Sequence, residues 1–144
     1  MARNKIGLQF EGFKEYAEQF EKMGGDLKKT TEKALQNTHD YLTPGIHAAM
    51  AKHKDTGKTE ASIVDNAKVE WEGTTAGIEI GFDLKSGGLP SVFLMYGTPR
   101  HAKKHPGTAK DKALYDSIYG AKTKKAVKEL QKKTFDRAFT KLGG

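Results

Sequence analysis

The side chains that could do chemistry are few and scattered along this sequence. None of the 144 residues is cysteine, which excludes disulfides, thiolate metal sites and cysteine nucleophiles. His101 and His105 are four residues apart, the spacing of a metal-binding pair on a helix, but Pro106 argues against a helix there. No Asp or Glu between residues 84 and 110 could complete the ligand set. We therefore predict no metal site.

The motifs for catalysis are incomplete as well. Gly57-Lys58-Thr59 matches the end of a phosphate loop, but position 52, where the loop needs its earlier glycine, is Lys. No serine has glycine two residues away on both sides, as a nucleophile elbow requires. Glu70 and Glu72 would share the wet face of a strand, where solvated charges are expected. We predict no catalytic residues, no cofactor and no enzymatic activity.

Positive charge is concentrated in the last third of the chain. The formal net charge is +7, and residues 100–144 hold 13 Lys and Arg against four Asp and Glu. Such a surface fits an anionic partner, for example nucleic acid. It also fits a solvated, lysine-rich helix face, which the scarcity of arginine and aromatic residues favours.

No apolar run approaches the roughly 18–20 residues that a membrane-spanning helix needs. The first residues are too polar for a secretory signal. We therefore expect a soluble protein that is made in a reducing compartment and has no membrane partner.

Apolar spacing predicts helices in the first third of the chain. A short strand over residues 6–10 precedes a helix over 13–23, and a helical region follows over 26–54. Pro44 should kink this region or divide it in two. His39 and His47 lie on either side of Pro44, so a shared helix face is not expected, and both are predicted to be surface or boundary residues.

Alternating apolar residues predict a β-hairpin over residues 66–83, with a turn at Gly73. The face that should be buried carries Val69, Trp71, Ile78, Ile80 and Phe82, and the wet face carries Lys68, Glu70, Glu72 and Glu79.

The remaining segments complete the predicted architecture. Residues 85–88 read as a flexible loop, and 92–96 are too short to decide between strand and helical turn. An exposed basic loop is predicted over 100–112 and a long helix over 122–142. The prediction is a single α+β domain over 1–144, with N-terminal helices, a small antiparallel β-sheet with a central hairpin, and a long C-terminal helix.

Two segments carry a family resemblance. Residues 56–63, Thr-Gly-Lys-Thr-Glu-Ala-Ser-Ile, resemble a Thr-Gly segment of the small tail-completion or neck proteins of long-tailed bacteriophages. Residues 78–83, followed by 93–99, resemble that family's strand ending in glycine and its Tyr-Gly-Thr motif. The matching residues are Thr56, Gly57, Ser62, Gly81, Tyr96, Gly97 and Thr98. Thr59 stands where the family usually has Leu, and the basic stretch after Pro99 is an insertion.

The resemblance implies a structural virion protein. It would assemble as a ring, join tail to head beside other head-connector and tail proteins, and be made in the host cytoplasm. Contact with DNA passing through the ring would be non-specific. The candidate interaction residues are Arg100, Lys103, Lys104, Lys124, Lys125 and Lys128.

Three alternatives stay open. The chain could be a small enzyme or a toxin-like protein with an unrecognised site. The chain could be a basic nucleic-acid-binding module that uses residues 100–144. At single positions, Gly57 and Gly97 could be ordinary turn residues, and Trp71 and Phe93 ordinary core residues.

Overall fold

The computed structural model describes residues 5–8, 12–53, 57–73, 75–97 and 109–143. The fold is α+β, with the element order β1, α1, α2, α3, β2, β3, α4, α5, α6. The helices are α1 (Phe13–Lys22), α2 (Leu27–Met50), α3 (Lys58–Ala61), α4 (Pro90–Tyr96), α5 (Lys112–Tyr119) and α6 (Ala121–Gly143). The strands are β1 (Lys5–Ile6), β2 (Glu70–Glu72) and β3 (Thr75–Glu79).

Helix α2 is the centre of the molecule. It begins at the N-cap Asp26, whose carboxylate accepts a hydrogen bond from the Lys29 amide at 3.0 Å. Its buried apolar residues are Ala34, Leu35, Leu42, Ile46 and Met50. The helix runs through Pro44 without a break, so the region is one helix and not two. Proline removes a single amide donor, and here it lies at an exposed position.

The predicted hairpin is present between β2 and β3, where Trp71 pairs with Ala76 and Glu72 with Thr75. Gly73 has φ 62°, the left-handed conformation that a tight hairpin turn requires. Strand β1 pairs with β3 on its other side and is shorter than the strand predicted over 6–10: it ends at Ile6, Gly7 and Leu8 are not strand, and residues 9 and 10 lie outside the described residues. Ile78, Ile80 and Phe82 are buried as predicted, whereas Val69 and Trp71 of the same predicted face are only half-buried.

Helix α6 lies antiparallel to α2. The Gln131 amide nitrogen donates to the Thr38 hydroxyl at 3.2 Å and to the Gly7 carbonyl at 3.0 Å, so it joins both helices to the chain after β1. Phe135 is fully buried, and the rings of Phe13 and Phe20 contact it edge-on. The C-terminal half of α6 is therefore held by the N-terminal segment.

The segment before α6 differs from its prediction. Residues 98–108 lie outside the described residues, so the basic loop predicted over 100–112 is described only at its end. Ala109 and Lys110 are exposed, but Lys112 already belongs to α5. The Asp111 carboxylate caps this helix by accepting the Leu114 amide at 3.1 Å. Within the described ranges, no helix is both long and apolar enough to cross a membrane.

Candidate interaction surface

Helix α4 presents an apolar face to solvent. Leu89, Phe93 and Tyr96 are 52%, 48% and 57% exposed, and their spacing of four and three residues places them on one side of the helix. The opposite side carries the buried Ser91 and Met95. Exposed apolar residues are unremarkable singly, but three on one face form a patch of the kind that binds partners. We name Leu89, Phe93 and Tyr96 the α4 face.

Local sequence explains why residues 90–96 are helical where periodicity could not decide. Pro90 occupies the first turn, where its missing amide costs nothing. Gly97 ends the helix with φ 74°, and its amide donates to the Phe93 carbonyl at 2.8 Å. Because Phe93 lies on the exposed side, its interpretation as a core residue is wrong.

Aromatic rings border the α4 face on the side of α5. The Tyr96 ring contacts Tyr115 edge-on at 5.7 Å between centroids, and Tyr115 contacts Tyr119 at 5.3 Å. The Lys110 ammonium lies 4.2 Å from the centre of the Tyr115 ring, a cation–π contact. Tyrosines pair a large apolar surface with a polar tip, which suits the rim of an interface.

The loop before α4 is structured, contrary to the flexible loop predicted over residues 85–88. Asp83 accepts hydrogen bonds from the Lys85 amide and the Ser86 hydroxyl, both at 3.0 Å. A Cβ on Gly88 would lie 2.6 Å from the Asp83 carbonyl oxygen, so only glycine fits there. This turn fixes the start of α4.

The two segments that carry the resemblance meet in space. The Asp83 amide donates to the Ser62 carbonyl at 2.8 Å, and the Val64 amide donates to Gly81 at 2.7 Å. Gly57 precedes α3 with φ 78°, in the left-handed region. Ser62 is buried. The structure thus brings Gly57, Ser62 and Gly81 into one unit that supports α4.

Two histidines of α2 hold this unit. His39 is buried, with Nε2 2.7 Å from the Val64 carbonyl oxygen. The His47 ring nitrogens lie 2.7 Å from Asp65 and 3.5 Å from Glu60. His39 and His47 therefore contact the same segment across Pro44, so the expectation of separate faces is wrong, as is the surface position of His39. Contacts with Asp65 and Glu60 raise the pKa of His47 against an opposing effect of burial.

An apolar groove lies at the other end of α2. It has a volume of about 870 Å³ and lies between the hairpin and the first turns of α1 and α2. Its apolar lining includes Leu8, Phe13, Leu27, Trp71 and Ala76. We name it the hairpin groove. The Asp111 side chain contacts Lys52 and His53 just beyond the C-terminal end of α2, so α5 and the neighbouring α4 lie at that end. At 1.5 Å per residue, the 24 residues of α2 separate the two ends by about 36 Å.

Opposite charges accompany the two apolar surfaces. Lys124, Lys125 and Lys128 are exposed near the start of α6, which packs on α5 and so belongs to the end with the α4 face. Glu70 and Glu72 are exposed on β2, beside the hairpin groove. Glu70 is also paired with Lys5 at 2.5 Å.

The predicted site residues are only partly brought together. Tyr96 and Gly97 lie at the end of α4, close in sequence to the predicted Thr98, whereas Lys124, Lys125 and Lys128 form a separate group. Five predicted residues lie outside the described residues: Thr56, Thr98, Arg100, Lys103 and Lys104. Sequence reasoning missed Leu89 and Phe93, although their spacing from Tyr96 is helical. It missed the hairpin groove because a groove depends on packing.

The described residues contain no group of three histidine or acidic side chains placed to hold a metal ion. At His47 the reason is geometric, since its two carboxylate neighbours lie at opposite ring nitrogens.

Comparison of the chain with family models, with curated proteins and with solved structures finds no match. Function must therefore be argued from the surfaces themselves.

Proposed function

We propose that this chain is a non-enzymatic structural component of a bacteriophage head–tail junction, which completes the tail and assembles as a ring in the virion. The observation that carries the proposal is the exposed α4 face beside the segment that resembles the family's Tyr-Gly-Thr motif. In this role the chain contacts further copies of itself and the neighbouring connector and tail proteins, and it is made in the host cytoplasm.

The placement of the two apolar surfaces supports head-to-tail assembly. A ring needs a heterologous contact, in which one patch meets a different patch on the next copy. The α4 face protrudes at one end of α2, and the hairpin groove lies at the other. We infer that the α4 face of one copy enters the hairpin groove of the next, with Phe93 as the central anchor.

The charged residues near the two apolar surfaces fit the same head-to-tail arrangement. If the α4 face enters the hairpin groove, Lys124, Lys125 and Lys128 approach the end of the next copy that carries Glu70 and Glu72. Such pairs at the rim set register and association rate more than affinity.

Sedimentation velocity over a concentration series and electron microscopy of the purified full chain test the proposal. We expect ring-sized assemblies from the wild type and monomers from Phe93→Ser, because an apolar anchor at an interface centre typically costs 2 kcal/mol or more when truncated. The matched control is Tyr41→Ser, which alters an equally exposed aromatic residue on α2, away from both surfaces. It should assemble normally.

A wild type that stays monomeric at every concentration would contradict self-assembly. Equal losses in the Phe93 and Tyr41 variants would contradict the α4 face as the contact. The genes on either side of this one give a separate check, because capsid and tail genes are expected there.

The exposed lysines of α6 favour a second candidate, the basic nucleic-acid-binding module over residues 100–144. Replacing Lys124, Lys125 and Lys128 by Glu separates the two. A structural role predicts impaired assembly with DNA binding retained, and the module predicts the reverse.

A further inference from the structure

A second groove runs between α2 and the C-terminal half of α6. Its volume is about 980 Å³, and its lining includes five basic side chains: Lys29, Lys33, Lys133, Arg137 and Lys141. Lys133, Arg137 and Lys141 belong to the basic region of residues 100–144, whereas Lys29 and Lys33 lie outside it. None of the five belongs to the α4 face or lines the hairpin groove. We name it the basic groove.

The cations form two rows along the groove. Lys29 and Lys33 are four residues apart on α2, while Lys133, Arg137 and Lys141 follow the same interval on α6. Four residues rise about 6 Å along a helix, so each row presents a positive charge every 6 Å or so. The helices pack antiparallel, as the contacts of Asn37 with Thr134 and of Thr38 with Gln131 show, so the rows run side by side.

The positive charge is not neutralised within the described part of the chain, where none of the five cations forms an ion pair. Two carboxylates, Asp26 and Asp136, also line the groove, so five cations face two anions there. Asp26 caps α2 by accepting the Lys29 amide, and Asp136 accepts the Tyr16 hydroxyl. Burial raises the pKa of Tyr16, and the hydrogen bond to Asp136 raises it further. The groove therefore has a surplus of unpaired positive charge.

We propose that the basic groove binds the phosphodiester backbone of duplex DNA without reading its sequence. A strand of duplex DNA carries a phosphate every 3.4 Å or so along the axis, so a row of about 12 Å spans three to four phosphates. The α6 row of three cations therefore faces three to four phosphates of one strand, and the two lysines of α2 add to the same positive surface. Phosphate contacts of this kind fix position and carry no sequence information.

The lining argues against two other polyanions. Single-stranded nucleic acid needs aromatic rings on which bases stack, and Phe20, the one aromatic residue in the lining among those described, is 1% exposed. An acidic protein segment needs apolar anchors in pockets for stable binding. Leu142 is the one exposed large apolar side chain in the described lining of this groove.

The experiment is a salt titration of the full chain against a short duplex of random sequence, followed by fluorescence anisotropy. The groove variant is Lys33→Gln, Arg137→Gln and Lys141→Gln. The control variant removes the same charge at exposed lysines that line neither groove and lie outside residues 100–144, by Lys14→Gln, Lys68→Gln and Lys85→Gln. Circular dichroism checks that both variants fold.

Counterion release makes the logarithm of affinity fall with the logarithm of salt concentration by about 0.9 per phosphate contact. We expect the groove variant to bind at least tenfold more weakly, with a slope shallower by about 2–3, and the control variant to keep the wild-type slope. Equal losses in both variants would overturn the proposal, because net charge alone would then explain binding. Loss of DNA binding in the control variant only would also overturn the proposal. Polyglutamate that binds as tightly as duplex DNA at the same salt concentration would overturn it as well.

This proposal does not depend on ring assembly. A chain that assembles without binding DNA would overturn the basic groove alone, and a monomer that binds DNA through it would overturn the proposed function alone.

Discussion

At the scale of single residues, His47 is the group on which pH acts most directly. Its ring reaches Asp65 through Nε2 and Glu60 through Nδ1, and both nitrogens donate to these carboxylates only when the ring is protonated. The contact holds the Glu60–Asp65 segment, which supports α4, against α2. Protonation of His47 therefore strengthens a contact that helps to position the α4 face.

Replacement of His47 by Gln should make the stability of the protein depend less strongly on pH. Because the folded-state pKa is raised, the contribution of His47 is complete below the ordinary histidine pKa of about 6.5 and is lost as pH rises through the raised value. We expect wild type to exceed His47→Gln in Tm near pH 5.5 by more than near pH 8.5. The His47 side chain is 33% exposed, so the effect should stay below about 1 kcal/mol.

Asp65→Asn removes the nearer carboxylate and leaves the His47 ring without its main partner. We therefore expect the stability of this variant, too, to depend less strongly on pH. Thermal melts of the three proteins at both pH values provide the measurement. A difference between wild type and His47→Gln that is the same at both values would refute the assignment.

At the scale of elements, two glycines differ in whether another residue could replace them. Gly45 lies inside α2, where an added Cβ meets nothing within 4 Å. Gly88 lies between the Asp83 turn and α4, where the same atom would lie 2.6 Å from a backbone oxygen. A helix interior gains from alanine because glycine loses more conformational freedom on folding.

Gly45→Ala should therefore raise the free energy of unfolding by about 0.5–1 kcal/mol, whereas Gly88→Ala should lower it by about 1–3 kcal/mol through steric strain. Urea denaturation measures both. A destabilising Gly45→Ala would mean that α2 at Pro44 departs from ordinary helix geometry, and a neutral Gly88→Ala would mean that the Asp83 turn can shift.

The elements were predictable wherever the apolar period was long. The 26–54 region, the hairpin and the last helix follow from spacing alone, because each buries one face. The 92–96 segment could not be assigned, since five apolar residues fit a strand or a helix equally. What decides it is the Pro90 and Gly97 pair at its ends. Of the two alternatives at Pro44, the single helix is the one observed, because one missing hydrogen bond does not outweigh the burial of residues on both sides.

The candidate surfaces were less predictable than the elements. The Tyr-Gly-Thr segment pointed to Tyr96 and Gly97, but not to Leu89 or Phe93, because exposure depends on which side of α4 faces the core. The basic groove combines rows from helices about 100 residues apart in sequence. Only their antiparallel packing makes them one feature.

At the scale of the whole molecule, the two proposed activities use different surfaces and should separate. We expect Phe93→Ser to lose assembly and retain duplex binding, because it changes no charge in the basic groove. The triple variant at Lys33, Arg137 and Lys141 should lose duplex binding and retain assembly. Sedimentation velocity and anisotropy on the same preparations give both readouts. Loss of both activities in Phe93→Ser would show that DNA binding requires the assembled form, and loss of both in the triple variant would show that assembly requires the cations of the basic groove.

The joining of the two ends of the described chain has a consequence for biogenesis. Gly7 is held by Gln131, and the rings of Phe13 and Phe20 close over Phe135. During synthesis, Gly7, Phe13 and Phe20 leave the ribosome before their partners, which lie more than a hundred residues later in the chain. Residues 7–20 therefore gain these contacts only after residue 135 has left the exit tunnel, and we expect nascent fragments to expose the apolar side of α1 to chaperones until then.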